Sequence, residues 1–336
     1  MSWHMIVARL GLALITLAGV AGIIFVLLRA VPGDPIAMMI APGATDADIA
    51  NLRARYGFDK SLLDQFLIWA GDLLRGDFGT SISLRQDVLG LVAGRIPATL
   101  ELAFLALLIA IIVGGGTAIV STRMRERPAE TIIDSANGFL LAIPEFIWAM
   151  AFVFLLGVIW PVLPVSGRIN PVTDPGFATQ FLLLESILRL RLSITADVLA
   201  HMAMPAFALA LPLAAVIARV LKSALLEAME QEYVLLARLK GYSEFALIWR
   251  EALRNAVLPT LALTGVQFTF LLGGTVIVER IFAYPGLGNM AIDAVINRDL
   301  PLIQGLVLTF GVMFILINLA VDLLAVAINP RLRHAG

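Results

Sequence analysis

Chemistry has few places to reside in this chain. Its three histidines, His4, His201 and His334, are scattered, and it has no cysteine, so thiolate nucleophiles, thiolate metal sites and disulfides are excluded. Neither H-E-x-x-H nor G-x-S-x-G occurs, which argues against an intramembrane enzyme. No G-x-x-x-x-G-K-[ST] loop is present to hold the phosphates of ATP. Two kinds of feature remain. One is a charged stretch, "EYVLLARLKGYSEFALIWREALRNAVLP" from Glu232 to Pro259, which carries Arg238, Lys240, Arg250 and Arg254 between apolar runs. The other is a set of polar side chains inside apolar runs: Gln267, Asn318 and Asp322, with Glu101 and Glu145 near run ends. Such groups are costly in lipid unless they face a cavity or a partner. They are therefore candidates for a solute path or for interhelical hydrogen bonds. Asn318 and Asp322, four apart on one helix face, fit the second reading better.

The elements that hold these residues are membrane helices. Of 336 residues 60% are hydrophobic and 15% charged, well outside the range of an ordinary soluble domain. A crossing needs roughly 20 apolar residues, and six runs qualify: 7–28, 98–120, 138–160, 203–221, 258–279 and 305–328. The expected fold is thus an all-α polytopic membrane protein with six transmembrane helices. The first run has the shape of a signal peptide's apolar region but is longer and lacks a small-x-small cleavage site, so residues 1–28 read as a tail and a retained span. Pro205 and Pro212 interrupt the fourth run, which spanning helices tolerate when neighbours satisfy the freed carbonyls.

Residues 29–97 are too polar to span and form an expected lobe between spans one and two. Turn signals lie at 31–35, 41–43 and 75–81. Ile49, Leu52, Leu63, Phe66, Leu67 and Trp69 suggest short amphipathic helices there. The core is expected over 98–336, with a second extramembrane segment at 161–197 that turns at 170–176. Glycines at 114–116 and 273–274 permit close helix approach, within the chain or to a partner. Arg123, Arg125 and Arg127 crowd the short loop 121–130, and Arg331 and Arg333 follow the last run, so both ends are expected in the cytoplasm and the lobe in the periplasm. A net charge of −1 leaves no basic field for nucleic acid.

The charged stretch divides at Gly241. Leu225, Leu226, Met229, Tyr233 and Leu236 continue the helical spacing out of span four. Gly241 supplies a terminator able to take positive φ, and Ser243 an N-cap. Phe245, Ile248, Trp249, Ala252, Leu253, Ala256 and Val257 then make one continuous apolar face, with Glu244, Arg250, Glu251, Arg254 and Asn255 opposite. Pro259 opens span five at a first turn. An amphipathic helix on the lipid surface would carry few acids. The mixed signs favour docking into a protein groove.

"EYVLLARLKG" followed by "REALRNAVLP" resembles the EAA loop of ABC-importer permeases, in the long-spaced form of the peptide branch. Ala237, Gly241 and the pair Leu258-Pro259 match. Leu235 and Leu236 replace the first two residues of the Glu-Ala-Ala, and Glu251 stands where that branch often has His. "RAVPGDP", "GDFGTS", "RIPATLEL", "PVSGR", "HMAMPA", "VERIFAYPGLG", "DAVINRDLPLIQG" and "NPRLRH" resemble further signatures of dipeptide and oligopeptide permeases, in order along the chain.

The resemblance implies an ABC importer type I permease fold in the bacterial inner membrane. It implies pairing with a second, different permease subunit, two cytoplasmic ATPase subunits that bind ATP and Mg, and a periplasmic binding protein. No cofactor is implied for this chain and it is not itself an enzyme. Residues 222–259 would hold the coupling loop: Glu232, Tyr233, Ala237, Lys240, Gly241, Tyr242, Ser243, Glu244, Phe245, Ile248, Trp249 and Arg250. Phe245 and Trp249 fit a groove contact and packing on their own domain equally. The loop 123–130 reads first as a topology-setting positive loop and second as another ATPase contact. By the same resemblance span five lines a central cavity, which makes Gln267, Phe270 and Glu145 candidates for the translocation path. Tyr284, Pro285 and Gly286 are candidates for an outer gate or binding-protein dock, or a plain helix-breaking turn. A small peptide is the expected solute; a nickel chelate, glutathione or another small solute would suit the same machinery. A proton-coupled secondary transporter is the alternative of another class, but no internal repeat supports it.

Overall fold

A computed structural model describes residues 3–30, 45, 47 and 59–328. The expected turns at 31–35 and 41–43, Ile49, Leu52, the tail motif 329–334 and the side chains of His4 and Asp322 lie outside the described residues. Among the described residues the architecture is helical. The helices are α1 (Trp3–Ala30), α2 (Leu62–Leu74), α3 (Val88–Arg123), α4 (Pro128–Ala142) and α5 (Glu145–Ile159). They continue as α6 (Leu182–Leu188), α7 (Leu192–Met229), α8 (Glu232–Leu239), α9 (Glu244–Ile281), α10 (Leu287–Ile296) and α11 (Leu300–Ile328). Parts of α1 and α11, with the whole of α3, α7 and α9, are long and apolar enough to cross a membrane, and the bent pair α4–α5 makes a sixth candidate.

Three expected boundaries are corrected. The second crossing begins at Val88, ahead of Pro97, because the buried spacing of Val88 and Val92 carries the helix through the proline. The third is not one straight run over 138–160: α4 and α5 meet at 95°. Pro144 is the reason, since its ring disfavours helical backbone at the residue before it, and Ile143 is extended at φ −98°, ψ 119°. The fifth does not open at Pro259. That proline lies inside α9, which starts at Glu244.

The chain forms two compact units. Of the described residues, the first comprises 97–289 and 316–328. At its centre α7 packs on α9, and a Cβ on Gly114 of α3 would collide with the Ala214 carbonyl of α7, so glycine permits that approach. A Cβ on Gly265 would likewise meet the Val321 side chain. At one end of this unit the buried carboxylate of Glu101 pairs with Arg168 at 2.6 Å and accepts the N–H groups of Leu183 (3.2 Å) and Leu184 (2.9 Å). Beside it in sequence, Thr99 donates its hydroxyl to the buried Glu279 (2.7 Å) and accepts the Leu287 N–H (2.8 Å).

Of the described residues, the second unit comprises 3–30, 45, 47, 59–96 and 290–315. Phe25 of α1 meets Phe66 edge-on at 5.2 Å and Trp69 at 5.5 Å, which gives α2 its docking face. The "GDFGTS" segment turns through Gly76 and Gly79 at positive φ. It is tied down by Asp299, fully buried, which accepts the hydroxyls of Ser81 (2.6 Å) and Ser83 (2.7 Å) and the Ser83 N–H (3.0 Å). Burial alone would raise the Asp299 pKa; these hydrogen bonds outweigh it and hold the carboxyl below its ordinary value.

Candidate functional site: an exposed hairpin and a polar-walled cavity

The charged stretch folds as a helical hairpin. The helical spacing does not continue unbroken from α7, as expected: α7 stops at Met229, and Glu230 and Gln231 separate it from α8. Glu232 sits in the first turn of α8 and is exposed, as is Lys240 at its end. Gly241 takes φ +83°, the left-handed backbone on which a side chain would be strained. Ser243 caps α9 by accepting the Ala246 N–H at 3.3 Å. Arg238 pairs with Glu244 at 3.2 Å across the turn, an exposed pair worth little by itself. Asn255 donates to the Tyr233 hydroxyl at 2.7 Å and ties α8 to α9.

The hairpin's anchor is apolar. Val234, Ala237 and Leu247 bury against one another, and Ile248, Ala252 and Ala256 bury with Ala118, Leu221 and Leu225. The single apolar face expected from Phe245 to Val257 is therefore split. Residues Leu247–Ala252 form a π-helical segment, whose wider turn takes in an extra residue and shifts the register. Leu247, outside the expected face, is fully buried, while Phe245 and Trp249 are 50% and 55% exposed. The 3.6-residue spacing could not reveal this. Both rings of this aromatic pair are about half covered by the rest of the chain and half open. Their rings lie stacked at 6.2 Å and 12°. The Arg123 guanidinium is 5.9 Å from the Phe245 ring and Arg250 5.9 Å from that of Tyr242, itself exposed. An outward aromatic patch with cationic neighbours, on a rigid base, has the composition of a protein-docking surface.

The loop 121–130 is fastened to the same region. Lys222 of α7 reaches Glu130 at 2.6 Å and Asp134 at 2.5 Å, and Ser121 donates to Asp134 at 2.9 Å. Arg125 faces Glu230 at 3.7 Å.

The three path candidates come together. Glu145, Gln267 and Phe270 line one cavity of about 260 Å³. Gln267, Phe270, Leu271 and Gly274 present one face of α9 at i, i+3, i+4 and i+7, and Leu209, Pro212, Leu213 and Val216 do the same from α7. Glu145 enters from the first residue of α5, placed there by the bend at Pro144. Gly274 makes room for it: a Cβ there would sit 3.2 Å from the Glu145 carboxylate. Glu101 belongs instead to the buried pair with Arg168.

The expected outer dock is not exposed. Tyr284 is fully buried and Gly286 is buried, with Pro285 half-buried between them. A Cβ on Gly286 would collide with the Glu279 carboxylate, so the "AYPGLG" turn is closed around that group. Burial pushes the Tyr284 phenol well above its ordinary pKa. The partner of the turn, Glu279, is wholly buried, which an acidic residue near a helix end gives no hint of in the sequence.

A family profile described as the binding-protein-dependent transport system inner membrane component matches residues 106–334, and the profile for the N-terminal part of such components matches residues 2–103. The chain is 36% identical over 330 residues to the di/tripeptide transport system permease protein DppB of Pseudomonas aeruginosa (strain UCBPP-PA14), covering 98% of each chain. It is 36% identical over 337 residues to the dipeptide transport system permease protein DppB of Escherichia coli (strain K12), again covering 98% of each. The probable D,D-dipeptide transport system permease protein DdpB of the same strain is 32% identical over 335 residues, covering 99% of this chain and 98% of that one. Among solved structures, the MetNI methionine ABC transporter in an inward-facing conformation aligns with a TM-score of 0.55 at 14% identity, over 72% of this chain and 97% of that chain. A likeness at that identity speaks to the fold.

Proposed function

Because the chain belongs to the family of binding-protein-dependent transport system inner membrane components, and so is a multi-pass permease subunit of an ABC importer, we propose that it moves short peptides, driven by ATPase subunits docked on the hairpin 232–259. The observation that carries this reading is the hairpin itself: a buried apolar root continuous with α9, and an outward tip of Tyr242, Phe245 and Trp249. Groove closure in the ATPases would push the tip, and the push would pass directly into α9 and, through the buried root, into α7. Ala237, Gly241, Ser243 and Ile248 shape the hairpin; Glu232, Lys240, Glu244 and Arg250 are its exposed polar contacts, and Tyr233 braces α8 to α9. ATP and Mg belong to the partner subunits, a second and different permease completes the path, and a periplasmic binding protein delivers the peptide. The hairpin and both chain ends face the cytoplasm. The solute crosses beside Glu145, Gln267 and Phe270.

The test is uptake into proteoliposomes that hold the full complex, with loaded binding protein outside the importing face. Wild type should accumulate a labelled peptide at the expense of ATP. Gly241→Pro, whose ring cannot adopt φ near +83°, and Glu244→Arg should abolish uptake and solute-stimulated ATP hydrolysis while the complex still co-purifies. Uptake by the chain alone on a proton gradient would overturn the proposal.

A further inference from the structure

The walls of the cavity at Glu145 are not uniformly apolar, and their three distinctive groups share a chemistry. Neither Glu145 nor Gln267 makes a side-chain hydrogen bond or ion pair with any described residue. Both are half-buried, on helices that are candidate membrane crossings by length and composition. By contrast, the other acidic side chains toward the interior of this unit are satisfied. Glu101 holds Arg168 and two backbone N–H groups, and Glu279 holds Thr99 and the Asn289 N–H. A carboxylate without a protein partner within an apolar helix is tolerated where it faces a cavity, and the fold places this one so: the 95° bend delivers it, and Gly274 clears its place. Phe270, 73% exposed, adds an aromatic ring to the same wall.

A carboxylate, an amide and an aromatic ring lining one cavity make a receptor for an ammonium group: charge from the acid, a hydrogen-bond acceptor from the amide oxygen, and attraction to the ring face. A carbohydrate would call for several donors and acceptors in place of the apolar remainder, Leu209, Leu213 and Leu271. An anionic solute would be repelled. We propose that Glu145, with Gln267 and Phe270, receives the protonated α-amino group of the peptide in transit, so that the permease itself selects for a free cationic end. The inference rests on the peptide reading above. Openness of the site to water keeps the hold brief, since an exposed ion pair is weak, and a transporter must release what it binds.

The experiment uses the complete complex in proteoliposomes, with saturating binding protein loaded with alanyl-alanine or a longer alanine peptide, and Glu145→Gln and Glu145→Asp variants. Glu145→Gln should lower the maximal uptake rate about tenfold, and Glu145→Asp should recover most of it. At equal occupancy of the binding protein, wild type should move alanyl-alanine several-fold faster than its N-acetylated form, and Glu145→Gln should erase that preference, which a merely structural role for Glu145 would not do. Wild-type uptake rates for Glu145→Gln, or a parallel loss of ATP hydrolysis and thermal stability, would overturn this inference and leave the peptide reading standing. Should the wild-type complex move no peptide but import an uncharged or anionic solute, both readings fall.

Discussion

Phe245 and Trp249 are the residues on which the proposed docking surface depends most, because aromatic anchors usually dominate such contacts. Alanine at either should weaken ATPase binding by about tenfold or more, roughly 1.4 kcal/mol, measured by titrating purified ATPase subunits onto the permease pair in detergent; melting of the permease should hardly change, since both rings are half-exposed. At Asp299 the prediction concerns stability. Its carboxyl is held below the ordinary carboxylate range, so it contributes fully above about pH 4 and the contribution is lost as pH falls through the lowered value. Asp299→Asn should lower the melting temperature at pH 7, since the amide turns donors toward two serine hydroxyls and an N–H, and the deficit against wild type should narrow in acid. The hairpin's punctuation was legible residue by residue, because positive φ at Gly241 and the cap at Ser243 are local chemistry. Asp299 and Glu279 were not, since their partners lie 216 to 218 and 180 residues away.

Elements show the same division between local and distant causes. Apolar length marked the crossings, and Pro144 alone accounts for the bend that hydropathy smoothed over. The π-helical segment was invisible because both registers place an apolar residue toward the core; only packing of Leu247 with Val234 and Ala237 shows that it, and not Phe245 or Trp249, turns inward. That packing also makes the glycine contacts testable. Gly114→Leu should drive a side chain into the Ala214 carbonyl and separate α3 from α7, with loss of folded protein by size-exclusion chromatography in detergent. Gly116→Leu, at an exposed position where an added Cβ meets nothing within 4 Å, should leave the isolated chain monodisperse.

For the molecule as a whole, sidedness is the property that most needs measurement, and the absence of cysteine makes it simple. Phe245→Cys in intact cells should resist an impermeant maleimide and react after permeabilisation; ready labelling in intact cells would place the hairpin outside and remove its access to any ATPase. One continuous helix, α9, carries the aromatic tip at Phe245 and Trp249, the cavity wall at Gln267 and Phe270, and the buried Glu279. Its 38 residues span about 57 Å at 1.5 Å per residue. Two parts of the proposed cycle, the docking tip and the cavity wall, are thus beads on a single spindle, and a spindle turns all its beads together. Order in the cycle therefore cannot come from this subunit alone; it has to be imposed by the clock of whatever grips the spindle's lower end.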